Sequence, residues 1–174
     1  QVFKKDTMNT LHPIAREIAE ILKARQETIA VAESSAGGLI SAALLSVEGA
    51  SAYYVSGAVV YTQHARRTLT NIEDHDMSDI RSASEPYAAL LALRTREHAH
   101  ADWGLAETGA SGPTGNRYGD APGHTCLAVS SRTMPSLDRA TTLETAQSER
   151  VDNMQAFAMA ALNALLATLK SATH

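Results

Sequence analysis

Apolar positions along the chain change their spacing several times, and each change marks an element. Leu11, Ile14, Ile18, Ile21 and Leu22 recur at helical spacing. With Pro13 near the start, where proline is tolerated, they predict a helix over 11–24. Thr28 to Glu33 reads as a short buried strand, followed at once by Ser34-Ser35-Ala36-Gly37-Gly38 and a helical run from about 36 to 46. Glu48 to Ser51 breaks the pattern, and Tyr53 to Tyr61, with Val55, Val59 and Val60, predicts a second strand. A short helix is expected over 62–69 and a polar loop over 71–78. Ser84-Glu85-Pro86 supplies a capping hydroxyl, an acid and a first-turn proline for a helix running to about His98.

Trp103 to Glu107 predicts a third strand, and Thr108 to Gly123 a Gly/Pro-rich loop too long for a simple connector. Strands over 124–131 and 139–147 are expected to pair antiparallel across a turn at Pro135. Val151, Met154, Phe157, Ala158, Ala161, Leu162, Leu165 and Leu169 lay out one apolar face of a final helix. Alternating helices and strands, then a hairpin, predict an α/β fold: a three-layer α/β/α sandwich with a mixed, mostly parallel sheet. No internal repeat and no boundary divides the 174 residues, so one domain over 1–174 is expected. Residues 1–7 precede Met8 and read as an extension.

Composition narrows the classes. Aromatic residues make up 5% of the chain and alanine fills much of the apolar share, which predicts a closely packed core of Ala, Leu, Val and Ile. The net charge of −4 is scattered, with no basic stripe for nucleic acid. The single cysteine, Cys126, excludes an internal disulfide and a cysteine-based zinc site. Lying in the apolar run 125–129, it reads as a small buried core residue. No segment has the length and apolarity to span a membrane, and no signal-peptide pattern opens the chain, so a soluble cytoplasmic protein is expected.

Four segments place polar groups where a sheet edge exposes them: 33–38, 61–66, 108–115 and 148–150. In an open α/β sheet the loops at the carboxyl ends of parallel strands converge, so the first three are expected to meet. Ser34 stands at a strand–helix junction beside backbone N–H groups that favour negative charge, and serves there as a helix cap, an anion ligand or a nucleophile. Gly37 and Gly38 permit close packing or a tight turn. Tyr61 is a strand-end aromatic with a polar tip. Arg66 and Arg67 taken alone read as a solvated helix face. The glycines from Gly109 onward suit close approach to a ligand. Arg150 is a cation at a helix start, which a nearby anion would explain. Gly109-Ala110-Ser111-Gly112-Pro113 lacks the final glycine of a nucleophile elbow, and no Walker-type Gly-Lys-Ser/Thr occurs. The histidines show no metal-ligand spacing.

In this order the four segments resemble the C-terminal domain of the competence-and-damage-inducible CinA proteins, the nicotinamide-nucleotide amidohydrolases, from about Leu11 to Leu169. Ala32-Glu33-Ser34-Ser35-Ala36-Gly37-Gly38 is similar to the family's Ala-Glu-Ser-Cys-Thr-Gly-Gly, and Gly49-Ala50-Ser51 to its Gly-Ala-Ser. Thr108 to Pro113 resembles Thr-Gly-x-Ala-Gly-Pro, Pro122 to Thr125 resembles Pro-x-Gly-Thr, and Ser148-Glu149-Arg150 stands where the family has Gly-Asp-Arg.

The resemblance implies deamidation of nicotinamide mononucleotide to nicotinic acid mononucleotide and ammonia. It assigns Ser34 as nucleophile and Tyr61 as the active-site tyrosine, and puts Arg66 where the family has a catalytic lysine. Gly37, Gly38, Thr108, Gly109 and Arg150 are implied in substrate binding, with no metal or cofactor, and a homo-oligomer is expected. A guanidinium has no lone pair with which to take a serine proton, and no lysine lies between Lys23 and Lys170. That leaves Tyr61 or His64 as base, or a nucleotide-binding homologue without hydrolysis, or a serine hydrolase with another substrate. Ser35 for cysteine, Ala36 for threonine, and the added Asn116-Arg117-Tyr118 are further departures expected to reshape the pocket.

Overall fold

In the computed structural model, which describes residues 7–172, side chains of the strands alternate between two differently built faces. The strands are β1 (Ile29–Glu33), β2 (Tyr54–Val59), β3 (Trp103–Ala110), β4 (His124–Ser131) and β5 (Arg139–Glu144). Ile29, Val31, Leu105, Leu127 and Val129 point to one core. There they meet helices α1 (Thr7–Arg25), α2 (Leu39–Leu45) and α5 (Arg150–Ser171). Ala32, Ala106, Cys126 and Ala128 point to the other, under α4 (Glu85–His98), with α3 (Gln63–Thr70) beside it. The small side chains of the second face let α4 lie close. A Cβ on Gly104 would come within 2.2 Å of the Ala92 carbonyl oxygen, so only glycine fits there.

Among the described residues the sheet order is β2-β1-β3-β4-β5. β1 pairs parallel with β2 and β3, while β3–β4 and β4–β5 are antiparallel. The sheet is mixed and the sandwich three-layered, as the alternation predicts. Parallel and antiparallel pairings are equal in number, because the chain returns through a hairpin after β3. The Pro135 turn forms a short 3-10 helix, Pro135–Leu137, between β4 and β5. Cys126 is buried and free.

Element ends shift where side chains alone do not decide them. α1 begins at Thr7, so Pro13 sits inside its second turn rather than near its start. The supposed extension 1–7 otherwise lies outside the described residues. α2 starts at Leu39, because Gly37 and Gly38 adopt φ of +67° and +99°, which no helix residue does. The polar stretch 71–78 contains a 3-10 helix, Asp74–Met77. β3 runs on to Ala110, since Thr108 to Ala110 pair with His124 to Cys126, and the glycine-rich loop is correspondingly shorter. β5 stops at Glu144. Ser84 caps α4 as its side chain predicts, accepting from the Tyr87 N–H at 3.3 Å.

No helix among the described residues is long and apolar enough to cross a membrane.

Candidate active site

The first three sequence segments do converge at the carboxyl ends of β1, β2 and β3. A cavity of about 320 Å³ is lined by Ser34, by Val60 to Gln63 and Arg66 beyond β2, and by Ser82, Ala83 and Tyr87 at the start of α4. Thr108, Gly109 and Asn116 to Tyr118 complete it. A second cavity of about 250 Å³ is lined by Ser35, Tyr61, Gly109 to Gly112, Thr114 to Asn116 and Arg150. The two share Tyr61, Gly109 and Asn116, so they adjoin.

Ser34 is half-buried in the first cavity. Its position is set by a carboxylate from the neighbouring strand. Glu107, fully buried near the end of β3, accepts from the backbone N–H of Ser34 at 3.1 Å and of Ala36 at 2.8 Å through Oε2. Its Oε1 accepts from the hydroxyls of Ser35 and, at 2.8 Å, Thr125. Glu33 does the same for the next turn, accepting from the N–H of Gly38 and Ile40 at 3.0 Å and of Ser41 at 2.8 Å. Burial pushes the Glu33 carboxyl above its usual range, the Ser41 and Ile40 N–H groups work against that, and Glu107 nearby adds to it.

These contacts correct one expectation. The N–H groups of the strand–helix junction are not free to bind an anion, because Glu33 and Glu107 already occupy most of them. Ser34 is not a cap either, since Gly38 stands at the N-cap of α2. The Ser34 hydroxyl itself makes no hydrogen bond among the described residues.

The remaining candidates fall in different places. Tyr61 is 62% exposed and lines both cavities. Arg150 donates through Nη2 to the Tyr61 hydroxyl oxygen at 3.1 Å and through Nη1 to the Gly112 carbonyl at 2.6 Å, tying the start of α5 to the site. Thr108 is buried, and its hydroxyl accepts from the Ala83 N–H at 3.2 Å. Gly37 and Gly38 line neither cavity; they form the turn that brings α2 back onto the sheet. His64 is exposed and lines neither cavity.

Arg66 is not on a solvated face. Its side chain is 7% exposed in the wall of the first cavity, with Nη2 on Asp74 Oδ1 at 3.2 Å. Arg67 donates through Nη2 to both oxygens of the same carboxylate, at 2.8 and 2.7 Å, and Asp74 is accordingly held below the usual carboxylate range, the Arg67 hydrogen bond being the largest cause. Tyr87, on the facing first turn of α4, is pushed up to about 12 by burial, with Arg66 pulling the other way.

The added Asn116-Arg117-Tyr118 reaches the pocket, and it is held by residues that the sequence did not single out. The Tyr118 ring lies against the guanidinium groups of both Arg81 and Arg117, 5.2 and 5.1 Å from its centre. Asp120 holds Arg81 through both oxygens, at 2.7 and 3.1 Å, and accepts from Asn116 at 2.8 Å, fixing the added loop over the cavity. Asn153, fully buried in α5, donates to the carbonyls of Ser111 at 2.9 Å and Gln147 at 2.8 Å. The signal for Glu33 and Glu107 was present as a repeated pattern: each is a carboxylate closing an otherwise apolar run, Ile-Ala-Val-Ala-Glu and Trp-Gly-Leu-Ala-Glu. Among the described residues no group of His, Cys, Asp and Glu is placed to hold a metal ion.

A family model for the CinA C-terminal domain matches residues 11–169. A CinA-like protein of Chlorobaculum tepidum is 32% identical over 157 residues, which cover 88% of this chain and 36% of that protein. A CinA-like protein of Syntrophus aciditrophicus is 41% identical over 98 residues, 56% of this chain and 23% of that one. The chain thus spans well under half the length of these curated relatives. Among solved structures, a competence or damage-inducible protein from Enterobacter asburiae superposes with a TM-score of 0.83 at 26% identity, covering 91% of this chain and 98% of that chain. The competence damage-inducible protein A from Klebsiella pneumoniae gives 0.86 at 24%, covering 94% and 99%, a likeness of fold.

Proposed function

The chain belongs to the CinA C-terminal domain family, and from that premise we propose that it deamidates nicotinamide mononucleotide, with Ser34 as the nucleophile. The observation that carries this reading is the state of Ser34. Its backbone N–H is held by Glu107, the residue lines the cavity, and its hydroxyl makes no hydrogen bond among the described residues. That is how a rigid scaffold presents a reacting atom. Ser34 Oγ attacks the carboxamide carbon and its proton is relayed through the Tyr61 hydroxyl, which Arg150 holds in place by donating to its oxygen. The proton then goes to the leaving nitrogen, ammonia departs, and water cleaves the acyl-enzyme to the carboxylic acid. The Thr108 hydroxyl, whose oxygen already accepts from Ala83, has its hydrogen left to offer the oxyanion. The pyridine ring occupies the first cavity, and the phosphate the second, beside Arg150.

A second reading is favoured by Arg66. A guanidinium in place of the family's lysine cannot act as a base, and a pocket that keeps the nucleotide without cleaving it follows. Ammonia release and ligand binding are to be measured together on nicotinamide mononucleotide, for the wild type, Ser34→Ala and Arg66→Lys. Release that Ser34→Ala abolishes supports the first reading. Binding without release, with activity gained in Arg66→Lys, supports the second. A protein that neither binds nor cleaves this nucleotide refutes both.

A further inference from the structure

Arg66 carries more donor capacity than its surroundings use. Nη2 reaches Asp74, but Nε is buried without a hydrogen-bond partner, and Nη1 makes no hydrogen bond among the described residues. Asp74 does not absorb this capacity, because Arg67 already holds both its oxygens from the rim. One carboxylate thus faces two guanidinium groups. A side chain this buried with donors left over is unusual in a folded protein and points to a missing acceptor.

The rest of the wall offers Arg66 no carboxylate. Arg117 adds a second cation, and no Asp or Glu lines this cavity. Ser34 and Thr108 each have a hydroxyl hydrogen without a protein acceptor. Tyr87 stays protonated across the physiological range and is a donor too. A ligand group that suits the two guanidinium groups has acceptors and no hydrogens. A carboxylate meets that condition with two oxygens in the plane of a guanidinium fork. A carboxamide offers the fork one oxygen without a charge, and its NH2 has to turn to neutral oxygens such as those of Ser34 or Gln63.

We propose that this cavity recognises a planar carboxylate on Arg66, and so holds the acid form of its pyridine nucleotide more tightly than the amide form. The proposal rests on the same cavity as the function proposed above, but not on catalysis. If the chain deamidates, the acid is its product and is retained as an inhibitor. If it does not, the acid is its ligand.

Nicotinic acid mononucleotide and nicotinamide mononucleotide differ only in this group, so the phosphate contribution cancels between them. Both are to be titrated calorimetrically into Ser34→Ala, which consumes neither, and into the same protein carrying Arg66→Gln or Arg66→Lys. The acid is expected to bind about tenfold or more tighter than the amide, the scale of a charge-assisted hydrogen bond. Arg66→Gln should bring the ratio close to one, and Arg66→Lys, a point charge without the fork, should leave a reduced preference. Equal affinities in the starting protein overturn the proposal, as does failure of both ligands to bind. Equal weakening of both ligands by Arg66→Gln assigns Arg66 to the phosphate instead and also overturns it. Should the glutamine variant not fold, an unchanged ratio in the lysine variant does the same. Ammonia release from the wild type is read separately, so loss of acid preference and loss of the hydrolytic reading are told apart.

Discussion

Glu107 accepts two backbone N–H groups and two hydroxyls, and it does so 71 to 73 residues from the turn it organises. No local pattern announces such a contact. The sequence shows only a carboxylate closing an apolar run, and which donors it serves depends on β1 and β3 lying side by side. Arg66 was misleading in the opposite direction: among polar neighbours it reads as solvated, and only the packing of α3 against α4 buries it. Ser34 and Thr108, by contrast, were legible because strand ends in a parallel sheet have one place to go. The Glu107 network yields a direct test. In Glu107→Gln the amide oxygen can serve the Ser34 and Ala36 N–H groups, and its NH2 then faces the Ser35 and Thr125 hydroxyls, which can rotate to accept. We expect a loss of about 1–3 kcal/mol in chemical denaturation, the cost of a compromised buried hydrogen-bond set. Ammonia release should fall by more than stability alone explains, since Ser34 loses its anchor. Unchanged stability would show that the network carries no net energy.

At the scale of elements, helix α4 and strands β1 and β4 were legible from capping and apolar runs, while the ends of α1, β3 and β5 were not. Their ends depend on pairing partners and on backbone at positive φ, neither of which periodicity encodes. One junction ties three elements together. His124, at the start of β4, faces Glu144 of β5 through Nδ1 at 2.5 Å and the Ala83 carbonyl ahead of α4 through Nε2 at 2.8 Å. Asp120, itself paired with Arg81, lies 3.6 Å from Nε2, and the Cys126 sulfur 3.7 Å. Both ring nitrogens thus face acceptors, which only the doubly protonated ring satisfies. Burial works to lower its pKa, but the bonds to Glu144 and Ala83 and the charge of Asp120 outweigh it and raise it above 6.5. The folded state therefore binds this proton more tightly than the unfolded chain. Its stabilisation is complete below about pH 6.5 and is lost as the pH climbs through the folded-state value. Thermal melts from about pH 6 to about pH 9 should show the wild type losing stability faster than His124→Asn. Parallel curves for the two proteins would contradict this role.

At the scale of the whole molecule, the two sides of the sheet divide the labour. The face carrying α1, α2 and α5 is packed with large aliphatic side chains and Trp103. The carboxyl end of the sheet gathers polar segments from β1, α3, the approach to α4, β3 and the added loop around one cavity. That convergence followed from the alternation of elements, and Asn116-Arg117-Tyr118 was expected to reshape the pocket, but the Arg81–Asp120 pair that holds it there was not, because an inserted loop carries no periodicity. A ligand in this cavity touches five separate segments. Binding should therefore stabilise the molecule as a unit and quiet the loop locally. With nicotinic acid mononucleotide at about 100 times its dissociation constant, linkage gives about 2.7 kcal/mol. For a domain of this size that is a rise in Tm of about 5–10 °C. Amide hydrogen exchange should slow at Arg117 and Tyr118 and around Ser82, beyond the uniform change the global stabilisation brings, while the packed helix α1 shows the uniform change alone. Protection centred on α1 instead would place the ligand at the far side of the sheet and remove the cavity from the functional account.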